Sequence, residues 1–348
     1  MTQADIPSSR QHRSRPPVKF VQIEPTTRCN YTCGFCVGRQ MEQADLPVDT
    51  FWTVLDSFPE IEHIELQGEG EPLLNKDFMR MARAATDRGI RVSIITNGSL
   101  LTDSAVEGLI DARVAAVRVS IESADPDTFK RIRGGRLDKV IAGIERLLAA
   151  KAARATPYPT VGFQVTVLKE TVDALEGIAA LHDRLGMDGG IGTQPLSSMP
   201  TYRSVYDTAM NEQRLDRDSY TRLRIARQAP RIQELMQMAQ QVGHFYTELS
   251  RAFPSAHGCP WVKGGLYIDR NGNATSCCMV KDPTRYGMGR MGTDSPEQIL
   301  GYRHRLDAVL RDEMIPEQCN GCAYIAPMVR RKLAEKQAVR SGPEPERD

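Results

Sequence analysis

Cys29, Cys33 and Cys36 place three thiols within one short stretch, Glu24-Pro-Thr-Thr-Arg-Cys-Asn-Tyr-Thr-Cys-Gly-Phe-Cys36. As thiolates they can hold three irons of a four-iron, four-sulfur cube and leave the fourth iron without a protein ligand, open to a reacting molecule. Two plainer chemistries compete for the same residues. Zinc normally takes four ligands supplied in C-x2-4-C pairs, and a disulfide scheme leaves one of three clustered cysteines unpaired. The spacing C-x3-C-x2-C therefore favours the cube.

Three further segments follow in order. Ile61 to Leu74 is an alternating apolar run that ends in Gly70-Glu71-Pro72, which alone is only a common turn. Arg91-Val-Ser-Ile-Ile-Thr-Asn-Gly98 reads as a strand closing on Thr96-Asn97-Gly98. Ala115-Ala-Val-Arg-Val-Ser-Ile-Glu-Ser123 reads as another, followed by Asp125 to Gly135. Together with the cysteine spacing and Phe35 just before the last cysteine, this series resembles the radical S-adenosylmethionine (SAM) superfamily. The resemblance implies that SAM chelates the open iron through its amino and carboxylate groups. It also implies that one electron from the cluster breaks the carbon–sulfur bond of SAM, and that the resulting 5'-deoxyadenosyl radical takes hydrogen from an unactivated carbon. The implied cofactor-binding set is Phe35, Gly70, Glu71, Asn97, Ser120, Glu122 and Arg133. Gly70 would let the backbone approach the SAM ammonium and Glu71 would fix that strand end. Ser120, Glu122 and Arg133 would serve the SAM ribose and carboxylate, with glutamate at 122 where the family often has aspartate.

The elements that must position these residues are readable from periodicity. Strands are expected near 18–24, 61–67, 91–96, 114–121, 160–168 and 190–196, and helices near 48–57, 76–88, 103–112, 125–132, 138–153 and 171–185. Strand–helix alternation repeated six times implies a parallel sheet, and the resemblance makes it an open (β/α)6 partial TIM barrel with the site at the strand C-terminal ends. The expected organisation is a flexible tail at 1–17, the barrel at 18–200, two or three linking helices at 201–255, an auxiliary domain at 256–326 and a polar helix and tail at 327–348. Aromatics in the linking region (Tyr202, Tyr206, Tyr220, Phe245, Tyr246) read as core, and His63 and His257 as packing or solvent-facing.

Five cysteines remain: Cys259, Cys277, Cys278, Cys319 and Cys322. Asp269-Arg-Asn-Gly-Asn273 is a strong hairpin turn that brings Cys259 and Cys277 together, and Cys319-Asn-Gly-Cys322 supplies a close pair. Four thiolates from three segments complete a second cluster with no open iron; a zinc ribbon uses the same four. The pattern resembles the C-terminal extension called SPASM, and more closely its shortened twitch form, a β-hairpin plus helix with one auxiliary cluster. The expected metal ligands are thus Cys29, Cys33, Cys36, Cys259, Cys277, Cys319 and Cys322. Cys278 is left over, either as an alternative ligand to Cys277, as a buried neighbour, or as a hydrogen donor to a substrate radical.

Composition excludes little but points one way. Lysine plus arginine (45) nearly cancels aspartate plus glutamate (44), which gives no support to a nucleic-acid or membrane partner. The N-terminus lacks a signal-peptide core, and eight cysteines read as metal or redox residues of a reducing cytoplasm. The expected cofactors are SAM and two [4Fe-4S] clusters, with a one-electron reductant such as flavodoxin or ferredoxin as partner. From the resemblance, one auxiliary cluster and about 17 residues before the first strand suggest a small carbohydrate or cyclitol substrate of natural-product biosynthesis, oxidised, dehydrated or epimerised in a closed polar cavity. The alternatives are modification of a ribosomally made peptide, and a non-catalytic SAM-binding scaffold.

Overall fold

The computed structural model describes residues 17–254 and 257–340, so the expected tails at 1–17 and 341–348 lie almost wholly outside the described residues. β1 (Phe20–Ile23), β2 (His63–Leu66), β3 (Arg91–Thr96), β4 (Ala116–Ser120), β5 (Thr160–Val167) and β6 (Ile191–Pro195) pair in parallel, each with the next. The crossovers carry α1 (Val48–Ser57), α2 (Phe78–Asp87), α3 (Asp103–Asp111), α4 (Pro126–Arg133) with α5 (Leu137–Ala153), and α6 (Leu175–Leu185). Every strand and helix expected in this region is present. This is the parallel sheet that the alternation implies, in the α/β partial barrel that the resemblance implies.

The strands alternate in character, as their period of two requires. Val21, Ile23, Ile64, Leu66, Val92, Ile94, Val117 and Val119 join the main core with the helices. Their neighbours Gln22, Glu65, Ser93 and Arg118 are equally buried but polar, so the inner face of the barrel is a hydrogen-bonded interior rather than an apolar one.

One group in that interior carries a pH signature. Burial pushes the Glu65 carboxyl up to about 7, against the smaller opposing effects of the Ser93 hydroxyl, which donates to it, and of Arg118. Between the ordinary carboxyl pKa and 7 the folded protein holds a proton that the unfolded chain has released, so stability falls as pH rises through that window. Glu65→Gln is therefore expected to flatten the decline in melting temperature between pH 5 and pH 8, a difference of roughly 3 kcal/mol. Parallel declines in the two proteins would show that Glu65 does not titrate there.

The linking region holds five helices: α7 (Pro200–Val205), α8 (Thr208–Glu212), α9 (Arg217–Ala226), α10 (Pro230–Gln241) and α11 (Phe245–Ala252). The sequence reading expected two or three. Local caps divide the segment more finely, since Asp207 and Asp216 accept from the N–H of Met210 and Ser219, and Pro230 opens α10.

Beyond it follow α12 (Trp261–Gly264), β7 (Gly265–Ile268), β8 (Asn273–Thr275), α13 (Pro283–Tyr286), β9 (Gly289–Arg290), α14 (Pro296–Arg311) and α15 (Ala326–Arg340). The expected hairpin turn is present. Asp269 Oδ1 accepts from Asn271 N at 2.8 Å and Asn273 N at 2.9 Å, and Gly272 takes φ +80°, where a side chain would be strained. The hairpin does not stand apart from the barrel. β7 lies parallel to β1, Phe20 opposite Gly265 through Ile23 opposite Ile268, and the sheet runs β6-β5-β4-β3-β2-β1-β7-β8-β9. Among the described residues no helix is long and apolar enough to cross a membrane.

Candidate active site

The loop after β1 carries the first cysteine set, and the end of α4 holds it in place. Thr32 N donates to Arg133 O at 3.0 Å, and Gly134, at φ +70°, ends the helix so close to Thr32 Oγ1 that an added Cβ would stand 2.0 Å from it. Gly70 has the same kind of reason. A Cβ there would lie 2.4 Å from Thr26 O and 2.6 Å from Arg28 O. Its lack of a side chain lets the strand end pack on the cysteine loop, with Glu71 N donating to Arg28 O at 2.8 Å.

The six other expected residues around SAM divide by what their side chains do. Glu71 is buried and occupied: Thr96 Oγ1 and Asn97 N donate to its two oxygens, each at 2.7 Å, which fixes the ends of β2 and β3 together. Asn97 turns its amide toward Cys29 Sγ at 3.9 Å and Asn30 Oδ1 at 2.8 Å. Glu122 does not line the cavity described below; its carboxylate is taken by Arg133, whose Nη2 donates to Oε1 at 2.8 Å. Arg133 passes that charge on. Its other terminal nitrogen is 3.8 Å from Cys33 Sγ, and its guanidinium stands 5.9 Å from the centre of the Phe35 ring. Ser120 and Phe35 line the cavity.

These three cysteines suit a cluster that needs thiolates. Burial pushes the Cys33 thiol up to about 11, against the opposing pull of Arg133, and raises those of Cys29 and Cys36 as well. A bound cation reverses that preference, and Arg133 and Asn97 supply N–H donors aimed at two of the sulfurs. Among the described residues, no three His, Cys, Asp or Glu side chains are spaced to hold a single metal ion.

The second set comes together as well. Burial raises the Cys277 thiol, and Cys278, Cys322, Cys319 and Cys259 all lie close enough to raise it further. Cys278 also answers to a different group: burial pushes its thiol up to about 11, and its next strongest influences are Lys281, Glu69 and Tyr246. His257, read as packing or solvent-facing, is buried and structural, accepting from Cys259 N at 3.2 Å and meeting Asp307 Oδ1 at 3.0 Å.

One cavity of about 620 Å³ joins the two sets, and all eight cysteines line it. It opens at the C-terminal ends of the barrel strands and is roofed by the linking helices and the C-terminal segment. Gln22, Gln67, Gln164, His244 and Tyr246 contribute neutral hydrogen-bonding groups, alongside apolar walls such as Ile95, Met199 and Trp261. Tyr246 Oη lies 2.9 Å from Gln22 Oε1 and 2.8 Å from Gln67 Oε1, and Gln22 Nε2 donates to Gln67 Oε1 at 2.9 Å. Sequence reading placed Tyr202 and Tyr246 in the core and missed Glu69 and Lys281. The two tyrosines do pack, but with their hydroxyls in the cavity. Glu69, Tyr202 and Lys281 form a buried group, with Glu69 Oε1 2.8 Å from Lys281 Nζ and 2.9 Å from Tyr202 Oη. Lys281 lies three residues after Cys278, which is the one signal that could have marked it.

Residues 23–181 match the model of the Radical SAM superfamily. Over 202 residues the chain is 31% identical to the tungsten-containing aldehyde ferredoxin oxidoreductase cofactor-modifying protein of Pyrococcus furiosus, covering 56% of this chain and 57% of that protein. The chain spans about half the length of the curated relatives it matches. Among solved structures it is similar to Streptococcus suis SuiB bound to precursor peptide SuiA, with TM-score 0.64, 16% identity, and coverage of 85% of this chain and 67% of that one. It is also similar to anSMEcpe with bound AdoMet, with TM-score 0.60, 14% identity, and coverage of 82% of each chain. The matched segment holds the whole cysteine loop and the β2, β3 and β4 ends that surround it, and over that segment the chain is similar to the Radical SAM superfamily.

Proposed function

We propose that this protein is an enzyme that removes a hydrogen atom from a small, uncharged, polyhydroxylated molecule of carbohydrate or cyclitol type, and that the outcome is oxidation. Cys29, Cys33 and Cys36 would hold a [4Fe-4S] cluster that SAM completes, and Cys259, Cys277, Cys319 and Cys322 an auxiliary one. When bound, the first cluster and SAM supply the 5'-deoxyadenosyl radical that the abstraction needs. A one-electron donor of flavodoxin or ferredoxin type would feed the reaction.

The observation that carries the reading is the single cavity. Both cysteine sets line it, and its volume of about 620 Å³ is that of a small-molecule site. The chain's own residues define what fits. Arg133 is paired with Glu122 and Lys281 with Glu69, and the Glu71 carboxyl is taken up by Thr96 and Asn97, so the groups left to meet a substrate are mainly neutral amides, hydroxyls and an imidazole. Burial and the nearby Arg118 hold His244 well below its ordinary pKa, which keeps that ring neutral. Such groups orient hydroxyls by donating and accepting in turn.

The radical reaction ends in one of two ways, and Cys278 distinguishes them. It lines the cavity and is the one cysteine that the two proposed ligand sets leave over. Anaerobic turnover with SAM and a panel of sugars, cyclitols and short peptides in heavy water is expected to give a product two hydrogens poorer, with no deuterium at the reacting carbon. A deuterium there, lost in Cys278→Ala, would replace oxidation by epimerisation. Turnover of peptides alone would overturn the substrate class.

A further inference from the structure

The Glu69–Lys281 pair joins two parts of the chain that the cavity separates. Lys281 sits on the loop after β8, with its side chain only 4% exposed. Its ammonium donates to Tyr267 Oη at 3.0 Å and lies 4.5 Å from the centre of that ring. Glu69 follows β2. Its carbonyl oxygen is 3.4 Å from Cys36 Sγ, and the carboxylate oxygen Oε2 is 3.8 Å from the same sulfur. A second buried carboxylate backs the first, since Glu24 Oε1 accepts from Glu69 N at 2.8 Å and Oε2 from Arg270 N at 3.3 Å.

This arrangement matters because of what Cys36 becomes when it holds iron. A ligating cysteine is a thiolate, and a carboxylate at 3.8 Å from it opposes any further negative charge in a buried setting where screening is weak. Adding one electron to a cluster is such a charge. The ammonium of Lys281 answers the carboxylate, and it comes from the segment that carries Cys277 and Cys278.

We propose that Lys281 is a positioning residue for the first cysteine set: by pairing with Glu69 it sets the electrostatic field at Cys36, so that the C-terminal segment controls the reduction potential of the cluster held in the barrel. The inference rests on the reading that Cys29, Cys33 and Cys36 hold that cluster. Glu69 and Tyr267 take two of the three ammonium donors of Lys281, which fixes the charge in place between them.

The test is a spectroelectrochemical titration of the anaerobically reconstituted full chain, following the electron paramagnetic resonance signal that changes on adding SAM. Lys281→Met is expected to shift the midpoint to more negative potential, Glu69→Gln to more positive, and the double variant to return near the parent value. Lys281→Arg, which keeps the charge, should stay near the parent. If Lys281→Met does not fold, the opposite shift in Glu69→Gln and the unchanged potential of the double variant still decide the matter. Equal potentials in parent, Glu69→Gln and the double variant would overturn the inference. A parent protein with no SAM-responsive signal would overturn the cluster reading instead.

Discussion

Replacing Cys29, Cys33 and Cys36 together by alanine is expected to halve the iron content, from about eight to about four per chain, and to abolish SAM cleavage. The expectation follows from how the cysteines divide in space. The first three lie on one loop held by α4 and the end of β2, whereas Cys259, Cys277, Cys319 and Cys322 gather in the C-terminal segment with their own support from His257 and Asp307. Neither set borrows a ligand from the other, so one should survive loss of the first. Iron and sulfide analysis of anaerobically reconstituted protein, with 5'-deoxyadenosine measured in parallel, tests both halves. Complete loss of iron would mean that the two sites assemble as one, and stoichiometric zinc at the second set would remove the auxiliary cluster from the account.

Arg133→Met is expected to destabilise the protein by about 3–5 kcal/mol, because it leaves Glu122 as an uncompensated buried charge. Glu122 is fully buried, and Arg133 is only 7% exposed at its side chain. The effect should reach beyond the pair. Arg133 is also the last residue of α4, its carbonyl anchors Thr32 N, and its guanidinium addresses Cys33, so loss of the side chain loosens the loop that carries the cysteines. Adding Glu122→Gln to Arg133→Met should recover a large part of the stability while SAM cleavage remains impaired. Anaerobic denaturant melts of the single and double variants measure this. Equal melts for Arg133→Met and the parent would show that the pair contributes nothing net to the fold.

Much of the framework was legible because it depends on local pattern. Each strand and helix of the barrel announces itself by its period, and the cysteine spacing needs no structure to be noticed. What local pattern does not report is pairing between elements. Glu122 reads as a cofactor contact from its place at the end of β4, yet its partner is eleven residues on, on a helix that folds back over it. Gly70 reads as room for SAM and lines the cavity, and the carbonyls of Thr26 and Arg28 give it a second reason to lack a side chain. Tyr202 and Tyr246 sit at helical spacing like core residues, and no periodicity reports that a hydroxyl ends in a cavity. Lys281 and Glu69 meet across most of the chain, and neither belongs to a recognisable pair until the fold brings them together. The division into five linking helices was readable in principle, from Asp207 and Asp216 as caps.

The parallel seam between β1 and β7 determines when the molecule can become itself. A chain made N-terminus first presents β1 before the rest of the barrel, while the strand that covers its outer edge, Gly265–Ile268, is made only after all six barrel strands. Until then Phe20 to Ile23 keep a row of unpaired backbone groups, the kind of edge that recruits other chains, and closing so distant a contact is slow. The half-made protein is thus its own aggregation hazard. Only when the C-terminal segment docks is that edge closed.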